Sequence, residues 1–109
     1  MRIALLLVLM GTLLAGCGGS GSSSEPVATT EVLMPKSYRF DPKTIEVDAG
    51  AKVTWRNEDN FTHTVEIEGQ DDRKVEPGES ISFTFSSPGT YEYVCTLHSH
   101  DMRGTVIVR

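Results

Sequence analysis

From residue 31 to the end of the chain, short segments alternate apolar with polar residues and are separated by glycine and proline turns. Alternation with a period of two puts one set of side chains on a buried face of a strand and does not fit a helix. The segments recur about every 8–12 residues, which is the spacing of an all-β sandwich or barrel. We therefore predict an all-β fold, a two-sheet antiparallel sandwich. The predicted strands are 32–34, 44–48, 52–56, 63–68, 80–85, 90–95 and 104–108.

The first thirty residues have a different composition. Arg2 is the only charge before Glu25, and residues 3–15 are apolar except for Gly11 and Thr12. A run of about thirteen residues is too short to cross a bilayer core, which needs about 20. A basic start followed by a short apolar run is typical of a secretory signal peptide. We therefore expect residues 1–16 to be a signal peptide and the folded domain to lie outside the cytoplasm.

The apolar run ends in Leu14-Ala15-Gly16-Cys17, which resembles the lipobox of bacterial lipoproteins. The resemblance implies that Cys17 is acylated and begins the mature chain, so the membrane is reached through a lipid anchor only. An uncleaved anchor with an incidental cysteine is the alternative. Residues 17–30 carry too few apolar side chains to bury a core and are predicted to be a flexible, lipid-anchored linker. The domain is then expected to span residues 31–109.

Charge and cysteine content narrow the function classes. The chain carries 10 Lys and Arg against 15 Asp and Glu, a formal net charge of −5. A basic footprint for nucleic acid is therefore absent from its composition. Two cysteines, Cys17 and Cys95, do not make a disulfide scaffold, and we expect them to serve separate purposes.

Potential metal donors are concentrated near the end of the chain. Cys95, His98, His100 and Met102 lie within eight residues, and His63 begins an earlier predicted strand. Thiolate, imidazole and thioether together suit copper, and two His with one Cys and a weak axial Met describe a blue-copper site. The same residues leave other chemistry open. Cys95, His63, His98 and His100 can make a closed zinc site, and a Cys–His pair is compatible with a hydrolase.

Several separated motifs resemble the cupredoxins, in particular the amicyanin, plastocyanin and pseudoazurin group. The matching segments are 45–57, 61–65, 83–85, 88–93, 95–102 and 103–108. The resemblance implies a Greek-key sandwich of eight strands, and the length of the domain suggests seven or eight.

By the same resemblance, His63, Cys95, His98 and Met102 are the ligands of one copper ion that cycles between Cu(I) and Cu(II). The implied function is one-electron transfer, without enzymatic activity. Redox partner proteins are expected to dock at an apolar surface around His98, flanked by Leu97 and Phe61, and the protein is expected to be a monomer. A copper storage or delivery module with the same ligands is the alternative.

The chain departs from the family pattern near the ligands. Three residues separate His98 from Met102, a spacing between those of amicyanin and plastocyanin, and Leu97 stands where these relatives carry proline. Thr64 stands where they carry an asparagine, so the bridge made by that side chain must be remade or absent. Met102 can also be ordinary core packing, and His100 can be a surface residue or a replacement ligand.

Overall fold

The computed structural model describes residues 25–98 and 101–109, and every regular element within them is a β-strand. Six strands form one sheet in the order β1-β3-β9-β8-β5-β6, and β2-β4-β7 form the second. The predicted all-β, two-sheet sandwich is confirmed, and the arrangement fits a Greek key. Within the described ranges, no helix is long and apolar enough to cross a membrane. The strands are β1 (Val27–Ala28), β2 (Glu31–Met34), β3 (Thr44–Val47), β4 (Ala51–Asn57), β5 (His63–Ile67), β6 (Arg73–Val75), β7 (Ser80–Phe85), β8 (Gly89–Val94) and β9 (Arg103–Val108).

Strand direction and strand number differ from the sequence prediction. The pairs β1–β3, β2–β4 and β3–β9 are parallel, so the sheets are mixed rather than antiparallel. Alternation reports which face of a strand is buried and carries no information on its direction. The chain passes from β2 to the other sheet for β3 and returns for β4, which leaves β2 and β4 pointing the same way. The described residues contain nine strands instead of seven or eight because β1 and β6 are too short to show alternation.

The sheet begins earlier than the predicted domain boundary at residue 31. Val27 and Ala28 pair with Ile45 and Glu46, and the Thr30 carbonyl accepts a hydrogen bond from Thr54 at 2.9 Å. Both side chains of β1 are exposed, so this edge strand is held by its backbone and has no hydrophobic signature. The predicted signal peptide, Cys17 and the first part of the predicted linker lie outside the described residues.

The core between the sheets is built around Trp55, which is fully buried. Its ring packs edge to face on Phe83 and Tyr93, with centroids 5.6 and 5.2 Å away. Met34 is also fully buried. A Cβ at position 104 would overlap the ring of Tyr93 and lie 2.6 Å from the Lys43 carbonyl, so only glycine fits there.

The three predicted strand ends that carry metal donors meet at one end of the sandwich. β5 and β8 are antiparallel neighbours, which brings His63 at the start of β5 toward the end of β8, where Cys95 follows. β9 is antiparallel to β8 with Val94 opposite Arg103, so Met102, which precedes β9, lies at the same end of the sandwich. The sandwich thereby gathers residues that are up to forty positions apart in sequence into one region.

Candidate metal centre

Cys95 lies at the centre of the candidate site and is fully buried and not disulfide-bonded. Its N–H donates to the Met102 carbonyl at 3.0 Å, which continues the β8–β9 ladder by one residue. Its carbonyl accepts from His98 N–H at 3.0 Å, and the His98 carbonyl accepts from Met102 N–H at 2.8 Å. These bonds bring the backbones of Cys95, His98 and Met102 together, and we name the segment that carries these three residues the ligand loop. The backbone positions of three predicted ligands are therefore tied to one another.

His63 is the second buried donor. Its Nδ1 lies 3.8 Å from Cys95 Sγ, while its Nε2 lies 2.8 Å from Asp59 Oδ2. Because a carboxylate only accepts hydrogen bonds, the ring proton belongs on Nε2. The lone pair of Nδ1 then faces the sulfur, which is the orientation a metal ligand needs. Both residues of this contact, His63 and Asp59, are at most 5% exposed.

The Asp59 carboxylate is held in its charged form. Burial alone raises its pKa, but hydrogen bonds from the His63 ring and from Asn60 N–H outweigh burial. The positive charge of Lys36 acts in the same direction, so the pKa of Asp59 lies below its ordinary value.

His98 is half-buried and lies nearer the surface than His63. Its ring centroid is 5.8 Å from that of His63 and 4.4 Å from that of Tyr38. Tyr38 also stacks on Phe61 at 5.7 Å, and Phe61 and Leu97 are each 56% exposed. We name Tyr38, Phe61, Leu97 and His98 the aromatic rim. Phe61 and Leu97 were expected here from the sequence, whereas Tyr38 was not.

No sequence pattern predicts a role for Tyr38, because it lies in the irregular segment between β2 and β3. Ser37 and Tyr38 both have positive backbone φ angles, 101° and 51°. Non-glycine residues rarely adopt this region, and they keep it where the surroundings over-determine it, commonly at binding and catalytic sites. Here the left-handed backbone turns the Tyr38 ring against His98.

Met102 is fully buried, directly before β9. Its backbone is hydrogen-bonded to both Cys95 and His98, so its side chain begins beside these two residues. Complete burial suits a weak axial donor and suits core packing equally well.

Two hydroxyl groups make the bridge that was in doubt because threonine replaces asparagine at position 64. Thr64 Oγ1 lies 2.8 Å from Thr96 Oγ1 and accepts the Thr96 N–H at 2.7 Å. The Thr64 N–H points at Cys95 Sγ, 3.4 Å away. β5 and the start of the ligand loop are therefore linked by side chains, although asparagine is missing.

Asn57 organises the segment that precedes His63. Its amide donates to the carbonyls of Phe61 at 2.8 Å and Val75 at 2.9 Å, and its Oδ1 accepts from Asp59 N–H at 2.8 Å. The side chain is fully buried, and all its bonding directions toward this loop are used. Asn57 belonged to a matched motif, but its spacing from the donors gave no sign of this role.

The formed part of the site fits a first-row metal. With bonds of about 2.0 Å to nitrogen and about 2.3 Å to sulfur, two ligands at 120° lie about 3.7 Å apart. The 3.8 Å between His63 Nδ1 and Cys95 Sγ matches this value. In the described part of the chain, no group of three or more His, Cys, Asp and Glu side chains is placed to hold a metal ion by itself. His100 lies outside the described residues.

The same contacts also resemble a Cys–His–Asp arrangement. No sequence motif indicates an orienting carboxylate, and Asp59 supplies one to His63. A nucleophilic thiol must, however, reach a substrate. Cys95 and His63 are both 0% exposed, so the thiol is closed to substrates in this structure.

Comparison with known proteins is consistent with this geometry. A sequence profile of the cupredoxin-like domain matches residues 4–108. The chain belongs to the cupredoxin family. Cupredoxins hold one copper ion that cycles between Cu(I) and Cu(II), and copper is the cofactor that this membership implies. The predicted resemblance is thereby confirmed.

This cupredoxin is 32% identical over 93 residues to amicyanin-alpha of Methylorubrum extorquens, covering 76% of the chain and 74% of the relative. A solved structure of a reduced amicyanin variant superposes with a TM-score of 0.68 at 28% identity, covering 79% of this chain and 93% of the other. A copper-containing nitrite reductase from Thermus scotoductus gives 0.64 at 30% identity, covering 78% of this cupredoxin but 23% of the enzyme. Cupredoxin domains thus also occur within larger enzymes.

Proposed function

We propose that this cupredoxin is a one-electron carrier with a mononuclear type 1 copper site. His63, Cys95 and His98 are the proposed principal ligands, and Met102 is the weak axial donor. The observation that carries the proposal is the buried pair of Cys95 Sγ and His63 Nδ1, which lie 3.8 Å apart with the lone pair of Nδ1 facing the sulfur. A thiolate beside an imidazole is the core of a blue-copper ligand set.

The surrounding residues keep this pair in place during electron transfer. When bound, copper takes up one electron as Cu(II) and gives it back as Cu(I). Cys95 and His98 are held by the backbone bonds of the ligand loop, and His63 is held by Asp59. Ligands that cannot move need little rearrangement when the charge changes, and such preorganisation favours fast electron exchange.

The aromatic rim is the proposed contact surface for redox partner proteins. Phe61 and Leu97 are each 56% exposed, and Tyr38 is 38% exposed beside the half-buried His98. The shortest route from the buried site to a partner then passes through the His98 ring. The protein is proposed to act as a monomer that meets its partners transiently at this surface.

Copper titration of the purified protein tests the proposal. An intense visible absorption from thiolate-to-Cu(II) charge transfer is expected, together with reversible reduction at an electrode. Cys95→Ser removes the thiolate and should abolish the colour. A colourless Cu(II) complex that does not reduce reversibly contradicts an electron carrier, and rapid copper transfer to an acceptor with slow self-exchange favours a delivery module instead.

His100→Ala separates copper from zinc. An unchanged visible spectrum is expected, because His100 is not one of the proposed ligands. Loss of metal binding in this variant supports the closed zinc site of His63, Cys95, His98 and His100.

The role of the aromatic rim is tested by electron self-exchange. Phe61→Ala should lower the rate, since it removes exposed apolar surface beside Tyr38. Val27→Ala is the matched control, because Val27 is 45% exposed on the edge strand β1 and does not belong to the aromatic rim. Equal rates in both variants contradict docking at the rim.

We also propose that Cys17 anchors the protein outside the cytoplasm through a lipid. The supporting observation is the lipobox-like sequence directly after the apolar run. Wild-type protein should sediment with membranes and carry an acylated N-terminal cysteine by mass spectrometry. Cys17→Ala should release the folded domain into the soluble fraction. Membrane association of that variant favours an uncleaved N-terminal anchor.

A further inference from the structure

Asp59 is a buried carboxylate outside the proposed ligand set. It lies between β4 and β5, is 5% exposed, and contacts His63 through Oδ2 at 2.8 Å. An ionised carboxylate is costly to bury unless it is paired and hydrogen-bonded. Its position therefore requires a compensating interaction, and among the residues that the structure describes, His63 is the only side chain to which its carboxylate bonds.

The carboxylate cannot rotate freely. Its Oδ1 accepts the Asn60 N–H at 2.7 Å while Oδ2 faces His63 Nε2, so each oxygen has its own donor. The Asp59 N–H is in turn bound by Asn57 Oδ1 at 2.8 Å. Asn57 is anchored to the carbonyls of Phe61 and Val75. The position of the carboxylate is thus determined by the loop and by β6, independently of any metal.

This arrangement has two consequences for His63. The proton is kept on Nε2, which leaves Nδ1 as the lone-pair donor facing Cys95. The negative charge is also transmitted through a short hydrogen bond to the ring, which raises the basicity of the donor nitrogen. A more basic donor and a nearby negative charge both stabilise the more highly charged form of a bound metal. Lys36 offsets part of this charge.

We propose that Asp59 is a positioning residue that presets the tautomer of His63 and lowers the reduction potential of the copper site. This inference rests on the proposed copper function. It assigns Asp59 a role that neither the donor spacing nor the motifs indicate, and it identifies a buried charge as the source of the tuning.

Asp59→Asn tests the charge with little change in volume. Its amide has one acceptor oxygen and cannot satisfy both Asn60 N–H and His63 Nε2–H. Loss of such an outer partner costs about 10–100-fold in metal affinity. We expect at least about a tenfold fall in affinity for Cu(II) relative to Cu(I), which raises the potential by about 59 mV for one electron.

Glu58→Gln is the matched control. It removes the same charge one residue away, but Glu58 is exposed. Within the described part of the chain, only its backbone has a hydrogen bond, to the Met34 carbonyl at 3.0 Å. The control should leave the potential and the visible spectrum unchanged. Equal shifts in both variants would mean that net charge alone is responsible and would overturn the assignment.

NMR of the metal-free protein gives a readout that does not depend on copper. The ring ¹⁵N shifts of His63 should show a protonated Nε2 and an unprotonated Nδ1 in the wild type, and a mixture of tautomers in Asp59→Asn. If Asp59→Asn does not fold, the wild-type spectrum still decides, since a proton on Nδ1 overturns the inference. Absence of a blue copper complex in the wild type refutes the proposed function instead, so the two failures are distinguishable.

Discussion

The hydroxyl oxygens of Thr64 and Thr96 lie 2.8 Å apart and join the start of β5 to the ligand loop. Thr96 donates its own hydroxyl proton to Asp72 Oδ2 at 2.9 Å, so in this pair the proton comes from Thr64. That proton is then unavailable to Cys95 Sγ, 3.7 Å away. The sulfur keeps the backbone N–H of Thr64 as its donor, and this hydrogen bond limits how strongly the thiolate donates charge to a metal.

Thr64→Val should destabilise the metal-free domain and change the copper spectrum. Valine has nearly the same shape but leaves the Thr96 N–H without its acceptor, at a cost of about 1–3 kcal/mol, whereas the Thr96 hydroxyl still donates to Asp72. Urea denaturation measures the loss, and the charge-transfer band reports the altered ligand loop. Thr54→Val is the control, because its hydroxyl bonds Ser82 at 2.9 Å between β4 and β7, in the smaller sheet. A spectral change in the control as large as that in Thr64→Val would contradict a local bridge.

Met102→Leu separates the two interpretations of this buried side chain. The exchange conserves volume and should cost less than about 1.5 kcal/mol in stability. If Met102 is an axial donor, the blue colour stays and the reduction potential rises, because the lost thioether is a weak ligand. Voltammetry of Met34→Leu is the control, since Met34 is equally buried in the core. Identical potentials in wild type and Met102→Leu would show that Met102 only packs.

Tyr93→Phe should reduce the loss of folding stability that occurs as the pH rises into the alkaline range. Burial raises the pKa of Tyr93 well above the ordinary 10.0, and the charge of Glu92 adds to this effect. The Trp55 indole N–H, which has no hydrogen-bond acceptor among the described residues, lowers the pKa of Tyr93 by more than Glu92 raises it but by less than burial does.

The sign of this effect follows from proton binding. Above about pH 10 the unfolded chain loses the phenol proton that the folded chain keeps, so wild-type stability falls by up to about 1.4 kcal/mol per pH unit. Phenylalanine removes that contribution. At neutral pH it should cost about 0.5–1.5 kcal/mol, because the 3.2 Å hydrogen bond to the Lys43 carbonyl is lost. Parallel curves for the two proteins above pH 10 would refute the linkage.

Gly104→Ala should be among the most destabilising small substitutions in the domain. The added methyl overlaps the Tyr93 ring and lies 2.6 Å from the Lys43 carbonyl, which is backbone and cannot turn away. Overpacking typically costs about 1–3 kcal/mol. Gly69→Ala is the control, because nothing lies within 4 Å of its Cβ and only its φ of 81° is unfavourable. A loss in Gly104→Ala no larger than the control, measured by urea denaturation, would contradict the predicted clash.

Seven of the nine strands among the described residues overlap the segments predicted from alternation. The two others, β1 and β6, are two and three residues long and are held by backbone pairing, which leaves no side-chain period. The antiparallel prediction was wrong for three strand pairs. Whether two strands run parallel depends on how many times the chain crosses between sheets, and alternation within one strand does not record this.

The candidate site shows the same division. The donor types and their order, from His63 to Cys95, His98 and Met102, are readable because spacing and chemistry are local properties of the chain. Thr64 could be singled out only as a departure from a family pattern. The Thr96 hydroxyl, which is hydrogen-bonded to Thr64, lies 32 residues away, and no sequence pattern marks Thr96.

The sequence by itself determined the strand content and the set of side chains that can bind copper, because side-chain alternation and donor chemistry are written residue by residue. Tertiary structure alone decided that Asp59 meets His63 and that Tyr38 covers His98. The first contact needs a loop held by Asn57, and the second needs two left-handed residues held by their neighbours. Such contacts depend on hydrogen bonds and burial between distant segments, and these exist only once the two sheets have packed.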